Sequence, residues 1–382
     1  MNNTLSVWIL LAVVSLIGSN ALLLSPVAGE IATNIGATSA AQVVFASSLF
    51  GASTAAGALF LAPHADDWGL WRTLRFVMLG FALACFLTGS STNIFTLYSG
   101  QIFAGFSSGL GLPIVYGLTA RIAPKGRESV YLGRVLTGWT ISLVFGVSGA
   151  ALVADLLHWR ANYLFLGAFA VVLAVLSHLQ VTPDSEKKPR LGVQYRAALQ
   201  AKGVMGLLAC VFCFMGAFYG TYGYIGIHAT QVLEQSTTQA GLIALVYGIG
   251  FAGTSLFDGV LDRLGPMRVG RVIFCVLLFV YAGLAFASQA WMSLLLMSFI
   301  WGGINHFGLN ILIGQLNAAG AEYRSTVLGL NSAVTYFAVF VTTGIFGKVF
   351  VDFGFAYVAL GGVILLLPAV TYLILGAKAM RA

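Results

Sequence analysis

The sequence predicts an all-α integral membrane protein, with twelve transmembrane helices arranged as two pseudo-symmetric bundles of six. Three observations carry that prediction. Hydrophobic residues make up 59% of the 382 residues and Asp, Glu, Lys and Arg only 8%, where soluble globular chains carry about a quarter charged. The apolar residues fall into successive stretches of roughly 18 to 25, each able to cross about 30 Å of hydrocarbon as a helix. Finally, motifs of the first half return in the second half at a nearly constant offset.

In order, the stretches cover roughly residues 5–28, 40–62, 74–91, 95–119, 131–154, 161–181, 203–229, 238–260, 270–288, 291–317, 325–348 and 356–378. Strands of an outer-membrane barrel would be about 10 residues long with alternating polarity, which these are not. Only "MNNTLS" precedes the first stretch, with no basic n-region before it and no small-x-small cleavage site after it, so it reads as a retained helix. Numbered from an inner N-terminus, 17 of the 19 Lys and Arg residues fall in inner loops and tails, and only Arg160 and Lys348 fall outside. Positive loop charge stays cytoplasmic. The expected location is therefore the cytoplasmic (inner) membrane, multi-pass, with both termini in the cytoplasm. The net charge of +7 reports that topology, and no nucleic-acid partner is expected.

Cys85, Cys210, Cys213 and Cys275 all lie inside apolar stretches. Cys210 and Cys213 have CxxC spacing but no second ligand pair, so they read as small buried hydrophobes, and no metal or cofactor is implied.

The longest polar segment, "VTPDSEKKPRLGVQYRAALQAKG", divides the chain into residues 1–181, a linker 182–202 and residues 203–382. The halves match. Asp66-x-x-Gly69-x-x-Arg72 returns as Asp262-x-x-Gly265-x-x-Arg268, "RESVYLG" at 127 as "RSTVLG" at 324, and "YLFLGAF" at 163 as "YVALGGV" at 357. A six-helix unit is used twice.

A duplicated six-helix unit with a basic central linker and a D-x-x-G-x-x-R turn after each second helix resembles the major facilitator superfamily. The resemblance covers essentially the whole chain. "LLLSPVAGEIATNIGATSAA" and "DLLHWRANYLFLGAF" are similar to the first and sixth helices of its drug and metabolite efflux branch, the twelve-helix proton antiporters. The loop signature, roughly G-x-L-a-D-r-x-G-r-r, is met at Asp66 and Gly69 and again at Asp262, Arg263 and Gly265. Departures are Ala62 and Asp258 for the first Gly, Asp67 for an Arg, Gln101 for the fourth-helix Arg, and "GVSGAA" for the fifth-helix G-P-x-x-G-G.

The resemblance implies that the loop after helix 2 lies near the start of helix 11, where Arg324 and the first-turn N–H groups of Ser325 and Thr326 form a positive site. Such a helix start favours an anion by about 0.3 to 1 kcal/mol. By the repeat, Asp262 faces Arg127 and Arg134. Both turns are expected to act as latches that hold only when the inner side is closed, with Asp258 grouped with the second turn.

The resemblance also implies that helices 1, 4, 7 and 10 line a central cavity. Polar residues independently concentrate on stripes of those helices, and buried polar groups belong on a wet interior. The expected substrate-facing set is Asn20, Gln101, Tyr222, Tyr224, Asn305, His306 and Asn310. With no Lys or Arg among them, the substrate expected is a small organic molecule that is neutral, weakly polar or cationic. Proton coupling, if the carrier is driven, has Glu30, His306, His228 and Asp258 as candidates, His because it titrates near neutrality, with Asp258 assigned first to the inner turn one helical turn further on. The expected activity is secondary active transport by alternating access, as proton-coupled efflux, with uptake symport or facilitated diffusion of a small neutral metabolite as the alternative. The expected partners are that substrate, protons and the bilayer, and a monomer suffices.

A different class is also present as a motif. Gly105-Phe-Ser107-Ser-Gly109 fits the G-x-S-x-G of serine hydrolases, with His306 as an imaginable base. It sits inside an apolar helix, where a nucleophile elbow has no strand-to-helix turn to form on. No catalytic residue is assigned, and a channel lacks its filter sequence or charge ring.

Overall fold

The computed structural model describes residues 3–124, 126–180, 194–258 and 266–379. Among these, twelve helices are long and apolar enough to cross a membrane. The first six are α1 (Thr4–Ile35), α2 (Ala40–His64), α3 (Leu70–Gly89), α4 (Ile94–Ile122), α5 (Val130–Leu156) and α6 (Trp159–His178). The second six are α7 (Val204–Gln231), α8 (Thr237–Phe257), α9 (Arg268–Ala287), α10 (Trp291–Ala319), α11 (Thr326–Phe353) and α12 (Phe355–Ile374). The chain is an all-α, multi-pass membrane protein of two six-helix bundles. The described part of the linker adds one short helix, Gln194–Gln200.

Local chemistry sets the helix ends. Ser39 caps α2 by accepting from Gln42 N, Asn93 caps α4 by accepting from Thr96 N, and Ser236 forms a capping box with Gln239 at α8. Glu30 Oε1 accepts from Trp159 N at the start of α6, 3.1 Å away. α1 continues past the expected residue 28 as far as Ile35, and the carboxylate in this extended end bonds to a neighbouring helix. Gly36, at φ +66°, then ends the helix in a conformation that costs glycine little.

Helix 2 changes pitch before it leaves the membrane. A π-helical turn spans Gly57–Leu61 and a 3-10 turn spans Ala62–His64, followed by a short helix Ala65–Trp68 and Gly69 at φ +84°. The positive φ accounts for the Gly in the D-x-x-G turn. A second π-helical turn, Ser142–Val147, lies in α5 where the "GVSGAA" segment begins.

Spanning helices alternate in direction, so both termini and the loops after α2, α4, α6, α8 and α10 share one face. This is the face that bears most of the chain's Lys and Arg, here termed the basic face. Toward the opposite face the two bundles touch closely. Ser25 Oγ of α1 donates to Tyr222 O of α7 at 2.7 Å and accepts from Gly226 N at 3.2 Å. A Cβ on Gly226 would lie 2.6 Å from the Ser25 backbone, so the helix crossing there requires glycine. Asp155 of α5 accepts from Thr238 N at the start of α8, 2.6 Å away, and Ala151 packs on Gly241.

Candidate substrate cavity

The space between the bundles is a cavity of about 500 Å³. Its walls come from the late parts of α4, α8 and α10 and the early parts of α5, α7 and α11, which are the parts nearest the basic face. The close contacts of α1 with α7 and of α5 with α8 shut the other end. The protein is therefore described in a state whose cavity is confined to the basic-face half.

The two walls differ in chemistry. From the first bundle come Leu22, Leu112, Leu132, Leu136, Trp139 and Leu143, with Tyr116, Thr137 and Thr140 as the polar exceptions. Thr137 Oγ1 already donates to Arg134 O at 2.6 Å, within its own helix. From the second bundle come Asp258, Asn305, His306, Asn310, Asn331 and Thr335. Aromatic side chains form the floor. Phe218 packs within 5.6 Å, ring centre to ring centre, of Tyr219, Tyr222, Tyr247 and Trp301. Among the described residues, no Lys or Arg lines the cavity.

The charged part of the wall is small and specific. His306 Nε2 of α10 lies 2.9 Å from Asp258 Oδ1 at the end of α8. Asn310 Nδ2, one turn further along α10, lies 3.2 Å from the same oxygen and 2.9 Å from His306 Nε2. In the Nε2–H tautomer the ring donates to Asp258 Oδ1, and in the Nδ1–H tautomer Nε2 accepts from Asn310 Nδ2. With Nε2–H donating to Asp258, Asn310 also donates to that oxygen, and the two nitrogens are simply close neighbours. His306 Nδ1 is buried without a partner, and the ring stands edge-on to Phe251, with centres 4.8 Å apart. Asn305 Nδ2 donates to Tyr247 OH at 2.8 Å, leaving its Oδ1 buried and unpaired. On α11, Asn331 Oδ1, Thr335 Oγ1 and Tyr336 OH are also buried at the wall without partners.

The structure places the residues expected at the cavity as follows. Asn305, His306 and Asn310 line it. Asn20 and Gln101 do not, because they are buried against each other, Asn20 Nδ2 donating to Gln101 Oε1 at 3.2 Å, with Thr88 alongside. Gln101 thus supplies a neutral partner where an Arg would bury a charge. Tyr222 lies behind Phe218, and Tyr224 OH donates to Thr343 O at 2.6 Å while its ring stacks on Phe350. Of the proton candidates, Glu30 is the α6 cap already described. His228 Nε2 is bonded to Ser288 O at 2.8 Å and its ring stacks on Phe355, away from the cavity.

Asp258 requires a correction. It does not stand apart with the inner turn, since its carboxylate faces α10 across the cavity wall. The lining helices are corrected too, because α5, α8 and α11 contribute as much wall as α4, α7 and α10, while α1 contributes only Leu22.

At the turns, Arg72, Arg127 and Arg268 are exposed and Gly69 has positive φ. Asp262, Arg263 and Gly265 lie outside the described residues, as do the side chains of Asp66 and Arg324. The G-x-S-x-G segment lies within the unbroken helix of α4, where a Cβ on Gly105 or Gly109 would come within 2.5 Å of a backbone oxygen of α2. Those glycines serve helix packing.

Two bundles of one repeat, with a cavity between them that reaches toward a single face, define a membrane transporter. The chain belongs to the Major Facilitator Superfamily, whose family model matches residues 8–343. It is 22% identical over 306 residues to a probable sugar efflux transporter of Pasteurella multocida, covering 80% of this chain and 74% of that one. It is 23% identical over 354 residues to a chloramphenicol resistance protein of Streptomyces lividans, covering 89% of each. The fold matches the crystal structure of a bacterial homologue of the human lysosomal transporter Spinster, described as inward-facing and unoccupied. The TM-score is 0.72 at 13% identity, covering 98% of this chain and 97% of that one.

Proposed function

We propose that the protein is a proton-coupled efflux carrier for a small organic molecule without negative charge, working by alternating access in the cytoplasmic membrane with both termini inside. The observation that carries this reading is the cavity: aromatic and amide-lined, free of Lys and Arg among the described residues, with one His–Asp pair in its wall. Aromatic faces and amides hold a weakly polar solute, whereas a phosphate or dicarboxylate calls for fixed cations. Support for efflux comes from relatives named for sugar efflux and chloramphenicol resistance. The basic face is the cytoplasmic one by loop charge, so the described state is the one that loads from inside.

We assign proton coupling to His306 together with Asp258, the two expected proton candidates that line the cavity. The bonds of Glu30 to Trp159 N and of His228 to Ser288 O, away from the cavity, support this choice over those two residues. The substrate and protons are the partners, the chain acts as a monomer in the bilayer, and no enzymatic step is needed.

The test is reconstitution into vesicles, an imposed pH gradient, and a screen of uncharged and cationic compounds for counterflow. Saturable counterflow that reverses with the gradient is the expected result. Flux that ignores the gradient removes proton coupling, and absence of counterflow across the screen removes the efflux reading.

A further inference from the structure

The cavity leaves one repeated feature of the chain unused. Arg75, near the basic-face start of α3, returns 196 residues later as Arg271 near the start of α9, so each half carries an arginine beyond its D-x-x-G-x-x-R turn. Nε of each is buried without a partner. A guanidinium is always charged and only donates, so a buried N–H of this kind calls for an acceptor. Positive charge in a loop satisfies the topology without any burial, and an arginine tucked in at a helix start therefore needs a separate reason.

Each arginine has further donors beside it. Trp71 lies one turn before Arg75 on the same face of α3, is only 4% exposed, and holds its Nε1 buried without a partner. An indole N–H, too, can only donate. α3 and α6 run antiparallel, with Gly89 against Arg160 and Tyr163 and Gly167 against Phe86, a register that brings Ser177 level with Arg75. Ser177 Oγ is buried and unpartnered as well. In the second half, Gln315 of α10 holds its Nε2 3.8 Å from the place a Cβ on Gly270 would take, at the residue before Arg271, and that nitrogen has no partner either. Donors thus gather at the start of α3 and again at the start of α9, and no described carboxylate bonds to them. The first N–H groups of each helix add to the positive field there.

From these donors the two helices present apolar stripes to the bilayer. On α3, Phe76, Leu79, Leu83 and Phe86 are exposed, and on α9, Val272, Phe279 and Phe286. Donors at the membrane surface with an apolar track leading into the hydrocarbon fit a phospholipid, its phosphate at the arginine and its acyl chains along the stripe. The oxygens of a phosphate diester suit the planar fork of Arg. A choline headgroup brings a cation of its own, which a seat built from arginine opposes. We infer that Arg75 and Arg271 each seat the phosphate of an anionic phospholipid in the leaflet at the basic face. The first seat has two further donors, Trp71 and Ser177, against Gln315 alone in the second, and is the tighter. Both seats lie outside the cavity, one on each bundle, so the lipid is a bound partner and not the carried solute.

The experiment uses the purified, delipidated full chain in a neutral detergent, titrated with phosphatidylglycerol, with phosphatidylcholine of the same acyl chains, or with inorganic phosphate. Bound lipid is counted by native mass spectrometry, and the thermal unfolding midpoint of each variant is taken before lipid is added. Phosphatidylglycerol is expected to fill two seats in preference to phosphatidylcholine. Arg75→Gln and Arg271→Gln each weaken one seat by at least about tenfold, and the double substitution removes both. Arg75→Lys keeps the charge and holds the lipid more tightly than Arg75→Gln. Trp71→Phe, which keeps a ring and loses the N–H, weakens the first seat by about two- to tenfold. Equal retention of the two lipids overturns the inference, as does phosphatidylglycerol binding that the double substitution leaves unchanged. Arg196 is an exposed cation of the linker helix on the same face, and a loss in Arg196→Gln as large as in Arg75→Gln would make the attraction one of diffuse charge and overturn it too. Inorganic phosphate that raises the midpoint as phosphatidylglycerol does, and blocks its binding, gives the seats to free phosphate and overturns the lipid assignment. Where Arg75→Gln unfolds early, Trp71→Phe decides, and phosphatidylglycerol binding unchanged by it overturns the first seat.

Discussion

The helix pair α2–α4 in the first bundle and the pair α8–α10 in the second are the same packing unit with different contents. In the first, Gly105 lets α4 approach the Phe50 carbonyl. In the second, Gly302 lets α10 approach the Tyr247 carbonyl, the same contact 197 residues further along in both partners. One turn onward the copies part. Gly109 again brings the helices together backbone to backbone, against Thr54 and Ala58. At the matching position stands His306, edge-on to Phe251 and reaching Asp258. The frame tolerates either a glycine contact or an imidazole bridge at this level. The repeat therefore predicts where the helices cross but not which copy carries the chemistry, and here the carboxylate and the imidazole of the cavity wall, Asp258 and His306, both belong to the second.

That contrast can be broken at its first member. A Cβ at Gly109 would lie 2.1 Å from Thr54 O and 2.9 Å from Ala58 N, backbone atoms that cannot swing aside. Gly109→Ala is expected to cost at least about 1 to 3 kcal/mol, the range of overpacked cores, read as a lowered unfolding midpoint in detergent. His306→Ala removes bulk from a cavity wall and should lower the midpoint less. Equal losses would mean the two positions are not alternatives within one frame.

The second member is tested by function. His306→Gln should leave substrate counterflow in place while abolishing its dependence on an imposed pH gradient, a change of at least about tenfold in gradient-driven accumulation if the imidazole is the proton site. Retention of gradient-driven accumulation would move the coupling elsewhere. Leu136→Ala, on the opposite wall, should alter coupling little.

Reading the chain without coordinates yields the twelve helices, the duplication and the wall of α10, because length, hydropathy and loop charge are imposed by the bilayer itself. Asn20 and Gln101, expected at the cavity, pair with each other instead, for a simple reason. A polar residue in a membrane helix needs a partner, and the partner can be another buried amide as readily as a ligand. The stripes Tyr247, Phe251, Ser255, Asp258 on α8 and Asn331, Thr335 on α11 have the spacing of one helix face, and they are visible in the sequence once helices 8 and 11 are considered as lining. Asp258 is obscured by its position four residues before Asp262, within a motif whose other residues point to the turn.

A smaller effect concerns the turns, which are the duplicated feature of the two halves. If Asp66 holds the start of α11 only when the basic face is closed, Asp66→Ala removes an interaction of about 0.3 to 1 kcal/mol and raises the basic-face-open population about two- to fivefold. Labelling of a cysteine placed at Leu136 measures it. An unchanged labelling rate at Leu136, with normal unfolding, would reduce the turn to an ordinary solvated loop.

The smallest expected effect compares two single polar groups on facing walls. Asn331 stands at the cavity wall with a buried Oδ1 that has no partner, and a turn of the side chain brings that oxygen to a solute, whereas Thr137 Oγ1 is already committed to Arg134 O. A neutral hydrogen bond contributes about 0.5 to 1.5 kcal/mol, so Asn331→Ala should raise the half-saturating concentration for counterflow by about two- to tenfold. Thr137→Ala should change it by less than about twofold, since no bond to the solute is lost. If Thr137→Ala proves the more harmful, the first wall takes part in recognition, and the division of labour between the copies is less complete than their chemistry implies. If both are silent, the solute is held by the aromatic floor and the Asp258–His306 pair, with the amides serving only to keep the wall wet.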